Sequence, residues 1–499
     1  MVVGAGMGGL AVSARLAAQG HQVTICEQAG DVGGKLGRLE RDGFVFDTGP
    51  SLLTLPAVYR DLFLKTGTRL EDHVDLVPVE PVCHYRFADG TELDLPNASR
   101  AGVTAALDTA LGKGAGAQWA AFMDRAAVIW DATRETFLES PLDGSRTLLR
   151  EARRGRDLLA IAPWASLRDL GRRYLQDPRL ITLLDRYATY TGSDPRRAPA
   201  ALATVPYVEQ SFGAWYVVGG LRRLGDALAA RCADLGVVVR TGADVVRVTT
   251  VGGAAVGVEL ADGEHLAADV VVANADAAHL YTDLLPGPEA RGARRALART
   301  EPSLSGFVMM LALRGRTPGL RHHTVLFPER YDDEFDSVFG TGPHRRRPRA
   351  VPDPAVYVSA PDDPALRPDD DHESWFVLVN APRHTPESPR SGIDWAAPGF
   401  ADSYADRLLD VMAARGLDVR DRLLWRELRT PADLERDTRS VGGSIYGTSS
   451  NGVRAAFVRP ANRSPVRGLF LVGGSSHPGG GLPLVGLSAA IVARQIGRA

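Results

Sequence analysis

The sequence predicts an α/β protein. A Rossmann-like domain built from discontinuous segments is joined to an α+β domain with an antiparallel sheet and a helical cover. Three observations predict this. Both ends of the chain read as an apolar strand that breaks into glycines and then opens a helix: Val2-Val3-Gly4-Ala5-Gly6-Met7-Gly8-Gly9 at the start, and Leu469 to Gly474 running on to Gly480-Gly481-Leu482-Pro483 at the finish. The first of these is followed by a second strand, giving the strand–turn–helix–strand context that a GxGxxG turn requires. The chain, at 499 residues, is too long for one ordinary core.

Taken in order, Val2-Val3 is the stub of a buried strand, shorter than usual, so that either the start lies upstream or the strand is clipped. No signal peptide precedes it. A helix rich in Ala and Leu runs from Gly9 to Gly20, and Val23 to Glu27 is the second strand. Gly43 to Asp47 is a strand with Phe44 and Phe46 on one face. From about Leu55 to Pro206 the pattern is mostly helical, with long stretches over Trp119 to Phe137 and Ser145 to Leu184, the latter punctuated by Pro163 and Pro178. Leu221 to Leu235 is a helix ended by Gly236. Val237 to Arg240 and Asp244 to Val251 are strands, and Val256 to Leu260 turns through Ala261-Asp262-Gly263 into a return strand. Asp269 to Ala273 is a buried strand. Phe307 to Leu313, Ala355 to Ser359 and Trp375 to Asn380 supply a second sheet, and the stretches His344 to Arg349 and Pro361 to His372 read as solvated loops. Residues 1–75, 205–280 and 435–499 are assigned to the nucleotide-type domain, and 76–204 with 281–434 to the second domain.

Composition narrows the function. Apolar residues make up 44% and charged residues 24%, with a formal net charge of −2, which gives no electrostatic case for nucleic acid. Cys26, Cys83 and Cys232 are far apart, which fits a reducing cytoplasm and offers no metal-ligand spacing. No apolar run is long enough to span a membrane.

Glycine turns at both ends bring backbone N–H groups and helix dipoles up to an anion, and two such turns fit a large two-ended cofactor, of which FAD is the usual one. Gly4, Gly6 and Gly9 form GxGxxG, with Gly8 in the same turn. Glu27, at the end of the next strand, is placed to accept hydrogen bonds from ribose hydroxyls, and an acid there argues against a 2′-phosphate. Gly33-Gly34-Lys35 supplies a second glycine turn against the dinucleotide. Lys35 is either a cation near the flavin or its phosphate, or a solvated lysine. At the C-terminal end Gly473, Gly474, Gly480, Gly481 and Leu482 bound the other turn, and Pro483 suits the first turn of a helix running to Ile496. His477, between Ser476 and Pro478, reads as structural or bonded to backbone rather than as a general base.

With these residues in view the chain resembles the phytoene desaturase type of carotenoid desaturase, FAD enzymes of the amine-oxidase-like superfamily. The resemblance spans nearly the whole length. It includes Gly43 to Pro50, Tyr190 to Pro195, Gly213 to Leu221 and Ala268 to Asp276. Phytoene desaturases typically read Gly-Ala-Gly-Thr-His-Pro-Gly-Ala-Gly near the C-terminus. Gly473 to Gly481 here reads GGSSHPGGG, which is more similar to hydroxycarotenoid 3,4-desaturases and carotenoid terminal-methyl oxidases. The resemblance implies hydride transfer from a long isoprenoid to FAD, with oxygen or a quinone as re-oxidant. It implies FAD contacts at Gly4, Gly6, Gly9 and Glu27, adenine against the backbone at Val245, and the flavin end held by Gly473, Gly474 and the turn ending at Leu482. Aligning an Asp-x-x-Arg helix of the family with Thr147-Leu148-Leu149-Arg150 keeps the Arg and loses the Asp, so Arg150 is either a catalytic group or a surface arginine.

An apolar substrate dissolved in lipid calls for an enzyme at the bilayer surface. Leu158 to Trp164, preceded by Arg150, Arg153, Arg154 and Arg156, is either an interfacial segment at the cytoplasmic membrane or a buried helix with a solvated basic end. Two other functions fit the same fold. A small-substrate amine oxidase would need an aromatic cage and a polar pocket, for which the sequence offers no candidate. A non-enzymatic prenyl-lipid carrier would have no need of intact glycine turns.

Overall fold

The architecture was read from a computed structural model that describes residues 1–142, 161–342, 347–388, 392–452 and 459–499, except for the side chains of residues 136 and 137. Arg150, the arginines at 153, 154 and 156, and most of the 145–184 stretch before Ile161 lie outside the described residues, as do residues 344–346 of the first expected loop.

A five-stranded parallel sheet runs Val238–Thr241, Thr24–Glu27, Val2–Val3, Val271–Ala273, Leu469–Leu471 across its width. Period-two alternation divides its faces. Val2, Ile25, Val272 and Phe470 pack under the helices Met7–Ala18, Arg222–Asp234 and Leu482–Ile496. Val3, Cys26, Val271, Ala273, Leu469 and Leu471 pack against a three-stranded antiparallel sheet of Val245–Val251, Ala254–Leu260 and His265–Ala267. The hairpin expected around Asp262-Gly263 is the pair Ala254–Leu260/His265–Ala267 of that sheet. The N-terminal and C-terminal helices lie side by side, so the two ends of the chain share one layer.

The second sheet has seven strands in the order Leu423–Arg429, Ser305–Arg314, His372–Ala381, Val356–Ser359, His323–Leu326, Cys83–Arg86, Glu92–Leu95. One of its pairings, His323–Leu326 with Cys83–Arg86, is parallel and the rest are antiparallel. Phe307, Met309, Leu311, Trp375, Val377 and Val379 face the helix Phe400–Ala414. Val308, Met310, Ala312 and Phe376 face the opposite way and receive Phe44 and Phe46 of the hairpin Arg38–Arg41/Phe44–Asp47. The two phenylalanines do share a face, and their rings stack.

Three expectations need refinement. Residues 55–206 are helical over most of the described stretch, but Leu76–Pro78, Cys83–Arg86 and Glu92–Leu95 within it are strands. They are too short to display a period; Leu76–Pro78 and Cys83–Arg86 are completed by distant strands, and Glu92–Leu95 by the hairpin it forms with Cys83–Arg86. The stretch from Pro361 to His372 is not simply a solvated loop. Asp363 is buried and accepts hydrogen bonds from the Tyr216 hydroxyl and the Gly219 N–H, and Leu366 is buried after it. Sequence also ran the long helix to Phe137. It ends at Thr133 and continues as a π turn over Arg134–Leu138.

Close packing of strand and helix makes one glycine irreplaceable. A Cβ at Gly9 would fall on the Gly4 carbonyl oxygen, which is backbone and has nowhere to go. At Gly292, in the short helix Arg291–Leu297, a Cβ meets nothing within 4 Å. Gly9→Ala is therefore expected to destabilise the fold by about 1–3 kcal/mol through overpacking. Gly292→Ala should stabilise it by about 0.5–1 kcal/mol through helix propensity. Opposite shifts of the thermal midpoint check the pair, and equal shifts would refute the packing argument.

Candidate cofactor and substrate site

The carboxyl ends of Val2–Val3, Val271–Ala273 and Leu469–Leu471 are neighbours in the parallel sheet, and each runs directly into a turn. In such sheets the crevice beyond the strand ends is where ligands bind. Here it opens into a cavity of about 360 Å³, within the size range of ligand sites.

The cavity gathers nearly every residue singled out from the sequence. Gly4, Gly6, Gly8, Glu27, Gly33, Gly34, Lys35, Val245, Gly473, Gly474, Gly480, Gly481 and Leu482 line it. Gly9 does not; it works one layer back, in the packing just described. Arg150 lies outside the described residues.

Asn274 was not singled out, and it organises the crevice. It leaves the strand Val271–Ala273 between the two glycine turns, with its N–H on the Val3 carbonyl at 2.8 Å. Its amide fills the space where Cβ atoms of Gly6, Gly8 and Gly473 would be. Three glycines at distant positions are thus required by one side chain. The signal in the sequence was only its position, immediately after a buried strand.

Both helices that start at the cavity lack a cap. Met7–Ala18 begins on Gly6 and Leu482–Ile496 on Gly481, neither with a side-chain cap nor an acid in the first turn. Elsewhere Ser99, Asp177 and Thr430 cap their helices. Uncapped starts leave N–H donors and positive dipole ends open to an anion. Glycine cradle, uncapped starts and acid together fit the diphosphate and ribose of a dinucleotide.

Glu27 is more engaged than expected. Its carboxylate accepts from Ala5 N–H at 2.6 Å and Ala29 N–H at 2.9 Å, which ties the first turn to the second strand. Each oxygen retains a second lone pair toward the cavity. Lys35 is no solvated lysine. Its Nζ donates to the Ser444 and Ile445 carbonyls at 2.9 and 2.8 Å, and burial pulls its pKa down to about 8 against the pull of Asp276. Burial raises the Asp276 carboxyl in turn, opposed by Lys35. Arg459 fixes the C-terminal turn by donating to the carbonyls of Tyr446, Thr448 and Gly474.

The far wall comes from the seven-stranded sheet: Gly306, Val308, Phe376 and Leu378, with Ile445 and Tyr446 beside them. Tyr446 packs on the Cα of Gly480, where no Cβ could fit. Sequence reading had located no aromatic ring here; Phe376 and Tyr446 are two. They could not be found by motif because they lie in unrelated segments.

The sequence profile described as "Flavin containing amine oxidoreductase" matches residues 7–373. The chain belongs to that family and is an FAD-dependent oxidoreductase. Its full-length relatives include a 4,4'-diapolycopene oxygenase from Methylomonas sp, 34% identical and matched over 99% of this chain and 97% of its own. They include a hydroxyneurosporene desaturase from Cereibacter sphaeroides with the same identity and coverage. An oxidoreductase structure from Methanosarcina mazei superposes with a TM-score of 0.65 at 17% identity over 99% of both chains, a likeness of fold.

His477 does not line the cavity. Its N–H donates to Pro460 and its Nε2 meets the Ser140 carbonyl at 2.9 Å, so it carries its proton there and is neutral. Burial drives its pKa down to about 4. A histidine that is harder to protonate folded than unfolded makes the protein lose stability as pH falls from about 6.5 towards 4, by about 1.4 kcal/mol per unit. His477→Gln should flatten that acid limb in denaturant titrations while leaving turnover within about threefold. A variant with wild-type acid sensitivity would show the account wrong.

Proposed function

We propose that this protein dehydrogenates a carotenoid or carotenoid precursor, converting a C–C single bond of the chain into a conjugated double bond. When bound, FAD supplies the two-electron acceptor for hydride. What supports the reading is the apolar strip that the seven-stranded sheet sets against the cofactor cavity through Gly306, Val308, Phe376 and Leu378, extended by Ile445 of the neighbouring loop. That strip offers an ammonium group no carboxylate and offers a polyene close contact. The names of the full-length relatives point the same way.

We assign cofactor contacts to Gly4, Gly6, Gly8 and Gly9 at the first turn, Glu27 at the ribose, and Gly33 and Gly34 in the second turn. Lys35 holds the Ser444-Ile445 backbone beside the flavin. Val245 takes adenine against its backbone, and Gly473, Gly474, Gly480, Gly481 and Leu482 hold the flavin end. The domain division proposed is 1–75, 205–280 and 435–499 for the cofactor, and 76–204 with 281–434 for the substrate. All five parallel strands come from the first set and all seven strands of the second sheet from the other. The chain's residues act by positioning and by excluding water.

Two other outcomes of the same chemistry stay in view because an oxygenase and a desaturase are equally similar to this chain. They are oxidation of a terminal methyl and 3,4-desaturation of a hydroxycarotenoid. Flavoprotein supplied with carotenoids in liposomes should give products with lengthened conjugation and a mass loss of two hydrogens per step. Added oxygen atoms would assign the terminal-oxidase branch, and unchanged substrates across hydrocarbon and hydroxylated carotenoids would refute the proposal. Oxygen or a quinone serves as acceptor.

The proposed seat is the cytoplasmic membrane surface. Among the described residues no helix is long and apolar enough to cross a membrane. Of the candidate interfacial segment, Ile161 and Ala162 face the protein interior, while Trp164 is 60% exposed. Trp164 is thus the residue to reach the headgroup level. Trp164→Glu should reduce the fraction that floats with anionic liposomes severalfold, without loss of flavin; undiminished flotation would remove Trp164 from the contact.

A further inference from the structure

Next to the apolar strip the interior turns polar around one arginine. Arg186 sits on the helix Pro178–Thr189 and is 9% exposed. Its guanidinium lies 5.1 Å from the ring centre of Tyr190, 5.5 Å from Tyr357 and 6.0 Å from Tyr85. Nη1 donates to the Tyr190 hydroxyl. Among the described residues no carboxylate pairs with it. Two other buried arginines differ: Arg168 rests on Asp185 and Asp332, and Arg222 on Asp31 and Asp226. Burial raises the pKa of the Glu209 carboxyl and Arg186 pulls it back down, but a buried cation with no carboxylate at ion-pair distance is costly, and ring faces offset only part of the cost.

Orphaned polar atoms surround it. Glu209 accepts from the Tyr187 hydroxyl through Oε1, while its buried Oε2 makes no well-formed hydrogen bond and is steadied only by the nearby Arg186 and Tyr190. The buried His323 meets the Tyr357 hydroxyl through Nδ1 at 2.7 Å and leaves Nε2 unpartnered. Tyr357 also bonds Ser51 at 2.7 Å. None of these residues lines the cofactor cavity, but their neighbours in the chain and sheet do. Ser51 follows the lining residue Pro50, Tyr357 pairs in register with the lining residue Leu378, and Gly192, two residues past Tyr190, packs on Tyr446. Unused donors and acceptors, one of them a guanidinium fork, thus sit behind the apolar wall of the cavity.

We propose that Arg186 is a specificity-determining residue that hydrogen-bonds an oxygen atom at the end of a long apolar substrate. The ligand class is a polyene with a terminal hydroxyl, aldehyde or carboxylate. The inference rests on the reading of the site as a polyene site. It goes beyond that reading in naming the group that selects an oxygenated terminus.

Binding tests it independently of turnover. A linear polyene alcohol and the matching hydrocarbon, each carried in the same liposomes, are titrated against FAD-loaded protein by quenching of flavin and tryptophan emission. The wild type should prefer the alcohol by at least tenfold. Arg186→Gln should bring the two affinities within about threefold of each other by weakening the alcohol alone, as expected for losing a charge-assisted hydrogen bond. If Arg186→Gln fails to hold flavin, Arg186→Lys decides, because it keeps the cation over the rings but loses the fork and should retain only part of the preference. No preference in the wild type, an equal loss for both ligands, or a full preference in either variant would overturn the assignment. Failure of the polyene reading is a separate result, namely no conversion of any polyene despite binding.

Discussion

The site depends on how closely two turns from opposite ends of the chain can approach one strand between them. Asn274 occupies the gap, and the glycines on either side of it exist because its amide does. The Val3 carbonyl accepts from its backbone, Gly4 faces its own carbonyl, and Gly473 lies against its side chain. A dinucleotide site of this type is often described by its first turn alone. In this protein the first turn has its shape only because the third and last segments of the sheet are already in place. Helix packing behind the crevice enforces the same condition, since the helices at both ends of the chain lie against each other.

Charge is handled by anchoring rather than by pairing. Lys35 and Arg459 are both buried near the cavity, and both spend their donors on backbone carbonyls of the 444–448 and 474 region. Burial lowers the pKa of each, Arg459 to about 10, and Asp276 opposes the shift in both. The two cations therefore hold a loop that has no regular secondary structure. That loop places Ile445 and Tyr446 where the glycine turn meets the apolar sheet. The arrangement gives a rigid polar rim at one end of the cavity and an apolar wall at the other. A redox cofactor and a hydrocarbon chain need that division.

Much of the cofactor half was legible in the sequence because its signals are local. A glycine turn, the strand before it and the helix after it lie within a dozen residues, and Glu27 follows at a fixed interval. The resemblance carried the distant segments. The rest depends on tertiary pairing. Cys83–Arg86 is a strand because His323–Leu326 lies beside it, and nothing in four residues announces that. Glu27 reads correctly as an acid at the site, yet its two backbone donors come from turn geometry that spacing does not reveal. Lys35 reads as a cation, but only the fold shows that it grips carbonyls. Arg186 sat inside an unremarkable amphipathic helix. Its lack of a carboxylate at ion-pair distance among the described residues is a property of the neighbours that its own helix end and two other segments bring to it.

The strand Leu469–Leu471 lies at the edge of the parallel sheet, pairing within it only with Val271–Ala273, while the preceding 462–464 segment bridges its outer side. Four strands can therefore assemble while the ribosome is still making the final segment. The crevice then lacks its last wall until that strand and the helix after it dock. Vectorial synthesis thus makes acquisition of the prosthetic group a late event, and a nascent chain interrupted before residue 469 would fold around an unfinished pocket.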